Sequence, residues 1–270
     1  MEISLQTIHK LVYFKLTEGG KMKFRKLGIL IVLAAMLVTS LVTGCQLRSQ
    51  KIVVATDATW PPMEYVDENK DIVGFDIDLM NAIAQEAGLE VEYRNVAWDG
   101  IFAGLAAGEY DAVISSVTIT DERKAQYDFS EPYINAGQIV VVQADSDITG
   151  PDGLSGYTVG AQLSTTGAFA VQEMEGVTLK EYDEVGLAFE DLVAGRIDAV
   201  VCDTPVAADF ALQREEYSAK LKIVGDSFTE EYYGILVQKG NSDLLAKINK
   251  GLVAVQDKGI DKTLEEKWLR

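Results

Sequence analysis

Two near-copies, GEYDAVISS at residues 108–116 and GRIDAVVCD at residues 195–203, constrain this chain more than any other feature. Each reads as a helix-ending glycine, an acidic turn, a short apolar strand and a polar strand end. Around them strand and helix alternate through two cycles. In the first, residues 52–55, 91–93, 112–114 and 138–142 are expected strands, and helices start at caps Asp76 and Asp99 and stop at Gly88 and Gly108. In the second, residues 158–161, 199–201 and 235–237 are expected strands. Residues 165–174, 185–194, 205–213, 242–257 and 262–269 are expected helices. This alternation predicts two related α/β lobes, and two copies are too few for a solenoid.

In open α/β sheets, ligands bind beyond the carboxyl ends of the strands. At those ends the first cycle places Asp57, Trp60, Ser115, Ser116 and Thr118, with Arg123 shortly after. The second cycle places Gln162, Thr165, Thr166 and Asp203. Arg123 offers a planar fork suited to a carboxylate, and Thr165 and Thr166 open a helix whose free N–H groups favour an anion. Asp203 is an acceptor suited to an ammonium. A carboxylate site plus an ammonium site describes an α-amino acid. Taken singly, Asp203 and Thr165 also read as helix caps and Arg123 as a surface charge; the joint placement carries the argument.

The formal net charge is −18, and beyond residue 44 it becomes −22, with 18 basic against 40 acidic side chains. Such a chain repels nucleic acid and anionic membrane surfaces, so neither is an expected partner. The single histidine is His9, and the two cysteines, Cys45 and Cys202, form no zinc-ligand spacing. No metal and no cofactor are expected, and histidine-based nucleophilic catalysis is excluded if the N-terminal segment is removed.

That segment reads as an address. Lys23, Arg25 and Lys26 precede a 16-residue apolar stretch, residues 27–42, interrupted only by Thr39 and Ser40. It is short for a membrane span and has the layout of a signal peptide, residues 22–44. The ending Val42-Thr43-Gly44-Cys45 resembles the bacterial lipobox, so Cys45 is the expected lipidation site and the lipid the only membrane attachment. Met22 is the expected true start, with residues 1–21 a mis-assigned upstream extension, and residues 45–50 form a linker.

The stretches TDATWPPMEY, IVGFDIDLMNAIA, SSVTITDERKAQYDFSEPY, GAQLSTTG, GRIDAVVCDTPVA and EYYGILVQKGN span residues 51–270 in order. Together they resemble the polar amino-acid-binding proteins of bacterial ABC importers, the solute-binding family that includes histidine-, glutamine- and arginine-binding proteins. The resemblance implies two lobes joined by two hinge strands, closing around an L-amino acid that is delivered to a permease and its ATPase. The expected lobes are residues 51–142 plus 234–270 and residues 143–233, in a lipid-anchored monomer outside the cytoplasm. By the same resemblance Arg123 holds the ligand carboxylate with Thr118 and the amides near Thr165 and Thr166. Asp203 holds the ammonium with Ser116 and the backbone near Ser115. Ser164 departs from the family, where glycine is common.

By resemblance Trp60 and Trp98 flank the ligand side chain, although core packing is the alternative for both. Asp57 then accepts from a distal cationic group, with Glu64 a further acceptor or a surface residue. A basic amino acid is the expected ligand, ahead of glutamine or another neutral polar one. A dehydratase on the same fold, acting on cyclic amino-acid precursors, is the enzymatic alternative; it needs an acid poised over the substrate, and none is evident. Sensors of the family normally continue into a transmembrane helix, so a chain ending at Arg270 points to transport.

Overall fold

The computed structural model describes residues 50–269; the expectations for residues 1–21, the signal peptide 22–44 and Cys45 lie outside the described residues. Apolar runs at each central strand make two five-stranded sheets. In spatial order the first is Leu89–Asn95, Gln50–Thr56, Ala112–Val113, Leu236–Gln238 and Tyr127–Phe129. The second is Thr178–Tyr182, Thr158–Gln162, Ala199–Asp203, Gln138–Gln143 and Leu221–Val224. In both, three parallel strands are followed by a strand antiparallel to its two neighbours.

The near-copies occupy the same place in the two sheets, and the structure explains their shared aspartate. Asp111 donates its N–H to the Val53 carbonyl at 2.8 Å and accepts the Val53 N–H on Oδ2 at 2.7 Å. Asp198 repeats this with Thr158, at 2.9 and 2.8 Å. Each aspartate thus satisfies a backbone N–H one residue before pairing with the next parallel strand begins, which the ladder leaves open. Gly108 and Gly195 end the preceding helices at φ 76° and 68°, a left-handed conformation glycine adopts without a Cβ penalty.

The boundary between lobes differs from the expectation. Gln138–Gln143, expected to close the first lobe at residue 142, hydrogen-bonds to Ala199–Asp203 and Leu221–Val224 in the second sheet. The chain crosses earlier, at Ile134–Asn135, which pairs antiparallel with Tyr232–Tyr233 on the return. An apolar β run shows that a strand forms, not which sheet it joins. Tyr232–Tyr233 is also held from the first lobe, where the Gly234 N–H donates to Val117 at 3.0 Å and the Ile119 N–H to Tyr232 at 2.8 Å.

Helices Phe75–Ala87 and Ser242–Asp257 pack together, burying Leu79, Met80 and Ile83 against Ile248, Leu252 and Val255. Each such side chain contributes roughly 1.5–3 kcal/mol. Gly251 permits the close approach, since a Cβ there would lie 2.5 Å from the Ile83 carbonyl oxygen. Gly251→Ala would gain about 1 kcal/mol of helix propensity, yet the overlap with backbone is expected to dominate. Thermal denaturation should show a net loss of about 1–3 kcal/mol, or roughly 3–10 °C in Tm; an unchanged or higher Tm would show that the helices part freely.

Candidate functional site

Asp57, Trp60, Trp98, Ser115, Ser116, Thr118 and Arg123 from the first lobe meet Gln162, Thr165, Thr166 and Asp203 from the second around one cavity. Glu64 joins them and is fully buried, so the surface alternative for it is ruled out. Asp57 follows the strand Gln50–Thr56, the serines follow Ala112–Val113, and Arg123 sits on the short helix Asp121–Gln126. Gln162 and Asp203 are the last residues of their own strands.

Arg123 is fixed by the backbone of both lobes. Nη1 donates to the Thr118 carbonyl at 2.9 Å and Nη2 to the Ser164 carbonyl at 3.4 Å. Its guanidinium carbon lies 5.6 Å from the Trp98 ring centre and 5.1 Å from that of Phe102. Burial lowers its pKa, while Asp203 and Glu231 push the other way. Ser164 has φ 56°, a left-handed conformation that glycine adopts freely and in which serine bears the cost of its Cβ. Thr165 caps the helix Thr166–Gln172, accepting from the Ala168 N–H at 3.1 Å and donating to the Gln162 carbonyl at 2.7 Å. Its hydroxyl proton is therefore committed within the protein.

At the opposite end Asp203 is 5 % exposed. It occupies the position before the helix Thr204–Ala208 yet its side chain makes no capping bond. Instead Oδ1 accepts from Gln138 Nε2 at 3.0 Å. Burial, reinforced by the Glu231 charge, pushes its carboxyl up to about 7.

Ser115 Oγ accepts the Asp57 N–H at 2.9 Å and donates to Glu64 Oε1 at 3.1 Å. Ser116, at φ 50°, sends its N–H to Asp76 Oδ2 at 2.7 Å, and its hydroxyl lies 3.3 Å from Glu64 and 3.4 Å from Asp76. Asp76, expected as a helix cap, sits inside Phe75–Ala87 and turns inward, where Tyr133 also donates to it at 2.8 Å. Asp99 likewise lies within Trp98–Ala107 and makes no capping bond. Burial raises Glu64 well above the usual carboxylate range, with Asp76 adding to it, and burial pushes Asp76 up to about 6. Asp57 is also pushed up to about 6 by burial, against bonds from Thr59 at 2.9 Å and, across the lobes, Gln162 at 3.1 Å.

Sequence reasoning missed Gln138 and Glu231. Glu231 receives the Thr118 and Thr166 hydroxyls on Oε2, at 2.9 and 2.6 Å, and Thr229 on Oε1 at 2.7 Å. Both flank the lobe crossings, and a glutamine beside an apolar run or a glutamate in EEYYG carries no local mark of a site.

The family description that matches residues 52–270 is that of the bacterial extracellular solute-binding proteins, family 3. The chain belongs to that family. The L-cystine-binding protein TcyJ of Escherichia coli (strain K12) is 31 % identical over 261 residues, covering 94 % of this chain and 97 % of its own. ABC transporter arginine-binding protein 1 of the same organism is 34 % identical over 244 residues, covering 88 % and 98 %. An ancestral arginine-binding protein bound to arginine superposes with a TM-score of 0.78 at 44 % identity, over 83 % of this chain and all of that one. The fold of this solute-binding protein is accordingly two-lobed, with the cavity between the lobes. Among the described residues no helix is long and apolar enough to cross a membrane.

Proposed function

We propose that this solute-binding protein captures a basic L-amino acid, arginine foremost, by closing its two lobes, and presents it to the permease of an ABC importer. One observation carries the reading. Among the described residues, Arg123 is the sole cation lining a cavity that also holds Asp57, Glu64 and Asp203. An α-carboxylate and an α-ammonium neutralise Arg123 and Asp203, and a cationic side chain answers Asp57, with Glu64 a further acceptor. Backbone N–H groups around Thr118 and Thr166 complete the carboxylate end, Ser115 and Ser116 the ammonium end, and Trp60 and Trp98 wall the stem.

Cystine, the ligand in the name of TcyJ, would bring a second α-amino-acid group, carboxylate as well as ammonium, against Asp57 and Glu64, where arginine brings a cation alone. A neutral polar amino acid is the second reading, favoured by Gln162, which already satisfies one Asp57 oxygen. Binding without turnover is the proposed role, and the relatives named above are binding proteins. Lipidation of Cys45 and a monomeric state complete the proposal; palmitate labelling lost in Cys45→Ala and mass in solution test them.

The test of specificity is titration calorimetry with L-arginine, L-lysine, L-histidine, L-glutamine and L-cystine. Asp57→Asn is expected to weaken arginine by tenfold or more while changing glutamine by less than threefold. Equal losses for the two ligands would contradict the assigned role, and product formation on incubation would move the protein to the enzymes.

A further inference from the structure

Two loops, one from each lobe, share a geometry that the ligand scheme does not use. Each follows a parallel strand and holds a serine in the left-handed region, Ser116 at φ 50° and Ser164 at φ 56°. Each presents a threonine two residues later, Thr118 and Thr166. A non-glycine residue in that region is strained by its Cβ, and such strain persists where the surroundings over-determine it.

Both threonine hydroxyls meet at one atom. Glu231 Oε2 lies 2.9 Å from Thr118 Oγ1 and 2.6 Å from Thr166 Oγ1, while the hydroxyls are 3.3 Å from each other. Each hydroxyl has a single proton. With both protons directed at the carboxylate, none remains for the Thr118–Thr166 contact, so the acceptor joins the lobes and the hydroxyls by themselves do not. Glu231 precedes the returning crossing strand Tyr232–Tyr233, and its other oxygen is held by Thr229. It therefore sits at the pivot, with one arm in each lobe.

We infer that Glu231 is a positioning residue and closure latch: it gathers one hydroxyl from each lobe on a single oxygen, so that the closed state gains bonds the open state lacks and ligand release is slowed. The inference rests on the amino-acid-binding reading for its ligand, but its geometry belongs to the protein alone. A latch made only on closing acts on dissociation and leaves encounter with the open form untouched.

Stopped-flow kinetics with L-arginine test this on the wild type, Glu231→Ala, Glu231→Gln, Thr166→Val and the Glu231→Ala/Thr166→Val double variant. Glu231→Ala is expected to raise the dissociation rate tenfold or more with the association rate within twofold. Glu231→Gln keeps an acceptor oxygen and is expected to restore most of the loss, and the double variant to be no worse than Glu231→Ala. An unchanged dissociation rate, a parallel change in both rates, or Glu231→Gln as impaired as Glu231→Ala would overturn the latch. The last result would assign Glu231 a purely electrostatic role toward Arg123. If wild type does not bind arginine, the ligand reading fails, and spin-label distances between the lobes of the free protein decide the latch. A closed population lost in Glu231→Ala supports it, and identical distributions overturn it.

Discussion

Arg123→Ala is expected to abolish measurable binding of arginine and of every other amino acid. The guanidinium is held toward the cavity by two carbonyls from opposite lobes and walled by Trp98 and Phe102. Its removal leaves a ligand carboxylate enclosed without a counter-charge. Breaking a buried pair in this way costs about 3–5 kcal/mol, on the order of a 150- to 5,000-fold loss of affinity. Arg123→Lys keeps the charge but not the fork, and is expected to recover only part of it. Calorimetry, with circular dichroism to confirm folding, measures both; arginine binding by Arg123→Ala within tenfold of wild type would remove Arg123 from the site.

The second large effect is a pH dependence of opposite sign for stability and for binding. Asp203 is pushed up to about 7 in the folded protein, and Asp57 and Asp76 to about 6, from ordinary values near 4. Between those limits the folded state holds protons that the unfolded state has released. Stability of the free protein therefore falls as pH rises from about 4 to 7, and levels off above. Binding runs the other way, because the ligand ammonium needs Asp203 ionised. Below pH 7 affinity is expected to fall by up to tenfold per unit. Asp203→Asn should flatten the Asp203 part of that slope and lower affinity at pH 8 by a hundredfold or more. Affinity for a neutral amino acid such as glutamine isolates Asp203 from Asp57 and Glu64. A flat profile from pH 5 to 8 in the wild type would show that Asp203 does not receive the ammonium.

Local signals made much of the site legible. Ser115, Ser116, Gln162 and Asp203 stand where an apolar strand hands over to polar groups, and Arg123 follows closely enough to share that end. The paired aspartates Asp111 and Asp198 marked equivalent strands because each serves the same backbone N–H. Cap grammar misled at Asp76 and Asp99: the helices begin at Phe75 and Trp98. Asp76 is drawn inward by Ser116 and Tyr133, 40 and 57 residues away in the chain, and nothing near residue 76 announces those donors.

From the sequence alone come the two-cycle α/β alternation, the helix stops at Gly88 and Gly108, and the set of polar strand ends. Hydrophobic period, glycine conformation and strand-end polarity are written into a few adjacent residues. Tertiary structure decided that Gln138–Gln143 belongs to the second sheet, that Glu64 is buried, and that Glu231 and Gln138 tie Thr118, Thr166 and Asp203 together. Those outcomes depend on which strands pair and which lobes face each other. Pairing is set by packing between segments tens to more than a hundred residues apart, where short-range pattern exerts no force.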